Sequence, residues 1–488
     1  MFEPQTFYLP VRVITGIGCC DCLPEEVAKL GARKALLVTD KGVRGAGLTE
    51  AIEASLKDCC EELSVYDEVP PEPTVRDADK LGDLARELRP DVIVGVGGGS
   101  VLDMAKGAGV LANNPGSIKD YFGTGLVKNP SVPTIMLPTT AGTGSEVTPN
   151  AIFLDEEEKL KVGVVSPYNF ARLAIVDAKL TLSAPPRLTA ATGVDAFTHA
   201  VEAYTSVRAS IHSDLFAAES IRRIARSLRT AVANPGDLQA RYDMAIGSVY
   251  GGIALSMAGT GAVHALAYPL GGTYRIPHGV SNALLLPYVM EFNYLANLEK
   301  FCNVARLMGE PVEGLSLREG AWRAVEAIKA LVEDVGIPTS LREFGIDPST
   351  APELADAARH AVQRVSGVLP SALRLAIDTN GLFVPARSDS PPPAPWLPVL
   401  RRAIRDEHAL QLDYRDEGSA VTQRRIWPFA MAFFDQARLI AAWCELRQDF
   451  RHFRADRVLN LSDSGERYPA RRHALIQRWR EQMCFPLM

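Results

Sequence analysis

Two short stretches hold side chains suited to gripping a metal ion. In GVDAFTHA (193–200), Asp195 and His199 stand four apart and so share one helix face. In HALAYPLGGTYRIPHG (264–279), His264 and His278 sit in an otherwise apolar run. One carboxylate and three imidazoles suit a borderline divalent ion, Fe²⁺ or Zn²⁺. A lone histidine is more often a satisfied core residue, but three of the chain's eight fall in these two motifs, which favours the metal reading. A C-C-x-C cluster at Cys19, Cys20 and Cys22 could also bind metal, though it reads better as a loop of small apolar side chains.

A second kind of chemistry needs glycine. Gly95, Gly97, Gly98, Gly99 and Ser100 lie between a strand pattern and a helix pattern. Such a turn lets backbone N–H groups approach a pyrophosphate at a helix N-terminus. Another turn, Thr139–Thr140–Ala141–Gly142–Thr143–Gly144–Ser145–Glu146, offers hydroxyls and amides for phosphate or nicotinamide. One such turn is ordinary, whereas two after two strands point to a nucleotide. The usual G-x-G-x-x-G with an acid about 20 residues on is absent. The better acid lies upstream at Asp40, which ends the 32–40 run. There it could take ribose hydroxyls and repel a 2′-phosphate, favouring NAD over NADP, although in isolation it reads as a cap.

The elements that must position these residues follow from periodicity. ARKALLVTD (32–40), DVIVGVGGGS (91–100) and VPTIMLPTT (132–140) read as buried strands, and 48–59 and 76–90 as helices. This alternation predicts a doubly wound parallel sheet with ligands at the strand C-termini. From about 188 the pattern is helical. Leu215, Ala218, Ile221, Ile224, Leu228 and Val232 form one apolar stripe, 240–272 suits a buried helix pair, and 316–336 is amphipathic. The Pro/Ser-rich run 384–396 cannot build a core and reads as linker. HALQLDYRD, RRIWPFAMAF and ARLIAAWCEL then read as strands of a small antiparallel or barrel-like domain, and YPARRHALIQRWREQM as a closing helix. The division is 1–187, 188–365, a linker at 366–396, and 397–488.

The 488 residues are 47% apolar and 23% charged, which excludes a disordered or collagen-like chain. No apolar run approaches 18 residues, so no membrane span is expected, and the N-terminus lacks a signal-like basic and apolar pair of regions. Eight sparse cysteines, two pairs of them adjacent, point to a reducing cytoplasm. Residues 397–488 hold 16 arginines against 12 acids, while the rest of the chain is acidic and the last lysine is Lys329. The shift suggests segments of different origin and is too weak to argue for nucleic-acid binding.

GVGGGSVLDMAK, TTAGTGSEVTPNAIF, GVDAFTHAVEAY and HALAYPLGGTYRIPHGVSNALLLP together resemble the iron-containing (group III) alcohol dehydrogenase family over residues 1 to about 360. The resemblance implies a Rossmann-like α/β domain and an all-helical domain with a cleft between them, the dehydroquinate synthase-like architecture. It implies that Asp195, His199, His264 and His278 hold the metal. It also implies NAD contacts from Asp40, Gly97, Gly98, Ser100, Asp103, Thr139, Thr140, Thr143 and Lys161. The activity implied is oxidation of small alcohols to aldehydes or ketones and the reverse, in a homo-oligomer. Where some members carry a relay histidine, this chain has Tyr268, a phenol that could relay a proton or simply pack.

From about 365 the chain departs from the family's usual ending. LRRAIRDEHALQLDYRDEG, the variant motif Trp443-Cys444-Glu445-Leu446, and DFRHFRADRV resemble the WYL domain of helix-turn-helix transcription regulators. That implies a small ligand on a β-rich domain, with Arg451, Arg454 and Arg457 as candidate groove residues or as a solvated face. DNA-binding helices do not precede it. Three alternatives follow: a ligand-sensing fusion with an inactive dehydrogenase scaffold, a glycerol-dehydrogenase- or maleylacetate-reductase-like activity, and an accidental fusion.

Overall fold

Val92–Gly97 is buried at every position, as a strand covered on both faces must be. In the computed structural model it is central to a six-stranded parallel sheet. The structure describes residues 7–347 except 159, and 407–470 except 416–420 and 435–436, with positions 350, 396, 399–400, 403–404, 475 and 478–479. The chain forms two units, 1–362 and 363–488.

The strands of the first unit are β1 (Arg12–Gly16), β2 (Lys34–Val38), β3 (Glu62–Tyr66), β4 (Val92–Gly97), β5 (Gly123–Thr124), β6 (Thr134–Pro138), β7 (Asn150–Asp155), β8 (Leu160–Val165) and β9 (Leu173–Asp177). The main sheet runs β1-β9-β6-β4-β2-β3, and β5, β8 and β7 make a small second sheet. Helices α1 (Leu23–Lys29), α2 (Lys41–Gly45), α3 (Glu50–Cys59), α4 (Val75–Leu88) and α5 (Gly99–Asn113) connect the strands. Alternate residues of β2 face opposite cores: Leu36 and Val38 pack with α4 and α5, and Ala35 and Leu37 with α1 and α3. Gly95 lies where α5 crosses the sheet, since a Cβ there would stand 3.1 Å from that of Ala105.

The helical part comprises α6 (Pro186–Thr205), α7 (Ile211–Ala233), α8 (Leu238–Ala258), α9 (Ala262–Tyr274), α10 (His278–Asn293), α11 (Leu298–Met308) and α12 (Leu317–Asp334). One apolar core joins α6, α7, α8, α10, α11 and α12. Helices α8 and α9 meet at 104° across Gly259–Gly261. Among the described residues no single helix is long and apolar enough to cross a membrane. The stripe expected on α7 needs correction. Ala217, Ile221, Ile224, Leu228 and Ala231 are buried, but Leu215 is 68% exposed, because the helix turns its first apolar residue outward.

The second unit is an antiparallel sheet of β10 (His408–Arg415), β11 (Val421–Phe434), β12 (Ala437–Cys444), β13 (Asp449–Arg454) and β14 (Val458–Arg467), ordered β13-β12-β11-β10-β14. Leu410, Leu412, Ile426, Ile440 and Ala442 supply its inner face. Most of the expected linker 366–396 and of the closing helix lies outside the described residues. Cys19, Cys20 and Cys22 pack partly buried against the sheet core, and Asp177 takes the N–H groups of Gly18 and Cys20. Burial pushes the Cys19 and Cys20 thiols up to about 12, which suits the loop reading.

Candidate metal and cofactor site

Helix α6 carries Asp195 and His199 one turn apart, α9 carries His264, and α10 opens on His278. Asp195, His199 and His264 are all buried, and each offers one ligand atom within 4.8 Å of the others. This is the single such group of His, Cys, Asp and Glu among the described residues. The His199 and His264 rings stack at 4.7 Å. His264 Nε2 lies 3.8 Å from Asp195 Oδ1, and His278 Nε2 lies 3.9 Å from the same oxygen. His278 is more exposed and stands outside the tight triad, with the Tyr268 ring stacked over it at 6.1 Å.

Three buried polar atoms here have no protein partner: His199 Nδ1, His264 Nε2 and Asn282 Oδ1. Orphaned buried groups are costly, so an acceptor cluster of this kind fits a bound cation. Burial alone would raise Asp195, but the three imidazoles and Asn282 outweigh it and hold the carboxyl below its ordinary value. Burial lowers His199 and His278, which favours neutral imidazoles, the form that ligates metal.

The two glycine turns lie at the C-terminal ends of β4 and β6, and Thr139 N donates to Gly97 O at 3.0 Å. A Cβ on Gly97 would stand 2.5 Å from Val101, and one on Gly99 2.5 Å from Thr143, so packing requires both glycines. Gly98 differs. Its Cβ would only touch Thr140 at 3.5 Å, leaving a notch at the N-cap of α5 whose free N–H groups suit an anion.

Residues 10–178 match the family described as iron-containing alcohol dehydrogenase, and residues 189–368 match the Fe-containing alcohol dehydrogenase family, C-terminal. Residues 395–462 match the WYL domain. Long-chain-alcohol dehydrogenase 1 of Geobacillus thermodenitrificans is 46% identical over 72% of this chain and 88% of its own. The chain belongs to the iron-containing alcohol dehydrogenase family. A solved 1,3-propanediol oxidoreductase superposes with a TM-score of 0.71 at 42% identity, covering 73% of this chain and 93% of that one. The NAD-dependent methanol dehydrogenase of Bacillus methanolicus is 36% identical over 70% of this chain and 89% of its own.

The other residues expected at the cofactor are placed less uniformly in this iron-containing dehydrogenase. Asp40 lies two residues past β2 and caps α2, accepting from Val43 N at 2.9 Å. The Ser100 hydroxyl donates to Pro71 O at 2.5 Å, and Lys161 pairs with Glu72 at 2.8 Å. Asp103 accepts from the Ser145 hydroxyl at 2.6 Å and from Ile152 N at 3.0 Å, so the structure binds it into the scaffold. Thr143 lies against Gly99 and accepts from Ser145 N.

Sequence reasoning missed four groups. Glu202, three residues beyond His199, and Asn282, four beyond His278, both contact the candidate ligands. Helical spacing was the signal that could have found them. Lys106 is fully buried, donating to Ser145 Oγ, Thr148 O and Asn150 O, and burial lowers its amine to about 8. Burial also raises Glu146 to about 7. On the WYL domain, Arg454 pairs with Asp456 and Arg451 lies 3.7 Å from Asp449.

Proposed function

We propose that this chain catalyses NAD-dependent, Fe²⁺-dependent interconversion of small alcohols with aldehydes or ketones. The observation that carries the reading is the buried Asp195–His199–His264 group with two unpartnered imidazole nitrogens. Asp195, His199, His264 and His278 would hold the ion, and the same donors would accept Zn²⁺. When bound, the metal supplies Lewis-acid polarisation of an alcohol or carbonyl oxygen, and NAD accepts or returns the hydride.

The chain's own residues do the rest. Gly98 leaves space at the α5 N-terminus for the pyrophosphate, with Gly97, Ser100, Thr139, Thr140 and Thr143 around it. Asp40 would take the adenosine ribose hydroxyls, and Lys161 and Asp103 would add further contacts to NAD. Oxidation moves one hydride to NAD⁺ and releases one proton. Tyr268, stacked on His278, orients that ring. Relatives named for long-chain alcohols, 1,3-propanediol and methanol support short or linear primary alcohols and diols as substrates. We divide the chain into the cofactor domain 1–187, the metal domain 188–365, a linker 366–396 and the WYL-like domain 397–488. A cytoplasmic homo-oligomer suits it.

The test is NADH formation by the full chain, loaded anaerobically with Fe²⁺, against primary alcohols and diols. His264→Ala is expected to lose both metal and turnover; unchanged metal content and rate would overturn the reading. The WYL domain supports a second role on the same chain, sensing a small ligand. An effector that changes the turnover of the full chain would be its signature.

A further inference from the structure

Glu202 is buried on α6, and nothing in the proposed reaction uses it. Its carboxylate is nonetheless the most heavily engaged acceptor beside the candidate ligands. Gly261 N donates to Oε2 at 2.9 Å and Val263 N to Oε1 at 2.6 Å. Oε2 also lies 2.6 Å from His264 Nδ1. All three partners belong to the start of α9, whose N-cap, Gly261, has no capping side chain of its own. Gly261 is part of the fit, since a Cβ there would stand 2.7 Å from Glu202 Oε1. An acid on one helix thus caps the next, its two oxygens taking N–H groups that the start of a helix leaves free.

An ionised carboxylate only accepts hydrogen bonds, so the contact with His264 makes Nδ1 the donor. A neutral imidazole carries one N–H, which leaves Nε2 with a bare lone pair. Nε2 is the buried, unpartnered nitrogen that lies 3.8 Å from Asp195 Oδ1. We infer that Glu202 is a positioning residue that locks His264 in the Nδ1–H tautomer and aims Nε2 into the ion site. The inference rests on reading Asp195, His199 and His264 as metal ligands. It adds the outer carboxylate that orients a ligating histidine. Leucine at 202 would approximate the size but accept from nothing, so Nδ1–H would lose its partner and Nε2–H, facing Asp195 Oδ1, would become the better-paired form.

Two readouts on the full-length, metal-free protein test this. The first is the histidine tautomer, from ¹⁵N–¹H correlations of ¹⁵N-histidine-labelled chain, with His264→Ala assigning the signal. The second is Co²⁺ affinity by chelator competition. Burial lowers the His264 imidazole but Glu202 and Asp195 outweigh it and raise it, so the tautomer is read at alkaline pH, where wild type is expected to show Nδ1–H without Nε2–H. Glu202→Leu is expected to show Nε2–H and a Co²⁺ dissociation constant raised about 10- to 100-fold, with NADH binding unchanged. A Glu202→Leu chain that keeps both the wild-type tautomer and the Co²⁺ affinity, while His199→Ala loses Co²⁺, would overturn the inference and leave the proposed function standing. A wild type that binds no Co²⁺ would overturn both. Should Glu202→Leu fail to fold, Glu202→Asp keeps an acceptor-only group and is expected to retain Nδ1–H; an Nε2–H signal there would overturn the inference.

Discussion

Adding one methyl at Gly98 separates the cofactor role of the first glycine turn from its packing role. The backbone there, φ −77° and ψ −174°, suits alanine. The new Cβ would meet Thr140 Oγ1 at 3.5 Å, an ordinary contact, so Gly98→Ala is expected to leave thermal stability within about 0.5 kcal/mol of wild type, as for substitutions free of packing strain. The same methyl would stand in the notch assigned to the pyrophosphate. Holding the phosphates off the α5 N–H groups forfeits hydrogen bonds to a charged group worth about 1.5–3 kcal/mol, or roughly 10- to 150-fold in affinity. Gly97→Ala is the control. Its Cβ would lie 2.5 and 2.6 Å from two atoms of Val101, an overpacking that costs about 1–3 kcal/mol. NADH titration by fluorescence and a thermal melt, run on both variants, decide the matter. Gly98→Ala should lose NADH binding without losing stability, and Gly97→Ala should lose stability. If Gly98→Ala binds NADH like wild type, the α5 N-terminus does not hold the pyrophosphate and the reasoning fails.

Lys106→Met leaves Ser145 Oγ, Thr148 O and Asn150 O without their donor, so urea unfolding at pH 7 should show a loss of about 3 kcal/mol. Because burial lowers the Lys106 amine from 10.5 to about 8, the folded chain releases between those values a proton that the unfolded chain still holds. This group's contribution therefore rises with pH across that window, by about 3 kcal/mol in full, and the wild-type-minus-Lys106→Met difference measured at pH 8 and 9.5 should widen. His278→Ala should weaken Co²⁺ binding less than His199→Ala, because His278 stands outside the tight triad; chelator competition on both variants checks the order. Leu215→Glu, at an exposed position of α7, should change the melting behaviour negligibly, within about 0.5 kcal/mol.

The strands carrying the glycine turns were legible because their apolar runs were short, continuous and ended by glycine or acid, as at 92–97 and 134–138. The β9 run, Leu-Ala-Ile-Val-Asp, was missed although every residue is buried. A short 3-10 turn, Ala178–Thr181, follows it at once, so the pattern of the next long helix starts only at Pro186 and does not mark its end. Asp195, His199 and His264, which the fold brings together, were legible as a candidate set because they cluster in two motifs, but the groups that contact them were not. Glu202 and Asn282 look like ordinary polar residues of amphipathic helices until the fold brings α6, α9 and α10 together. Lys106 was illegible for a different reason. A lysine within a run of small apolar residues reads as a helix's solvent face, and here that face is closed by the Ser145–Asn150 segment.

The second glycine turn shows how the cofactor side and the metal side are held in register. Gly142 lies so close to α6 that a Cβ would stand 2.7 Å from that of Thr192, three residues before Asp195. Gly144, at φ +61°, approaches Gly252 of α8 so that a Cβ there would stand 2.6 Å from the Gly252 Cα. On the far side, Gly279, next to His278, lies where a Cβ would stand 2.5 Å from Ala191 O. These contacts put backbone against backbone, or against the first atom of a side chain, and such contacts do not adjust by rotamer changes. The turn after β6 is therefore fixed relative to the helix that carries Asp195 and His199, and that helix relative to His278. A reaction in which a hydride must cross from a carbon held at one element to a cofactor held at another needs a separation reproducible to a fraction of an ångström. Long side chains at these crossings would leave that separation adjustable. The glycines remove the adjustable atoms, which accounts for a TTAGTG turn whose glycines serve helix packing.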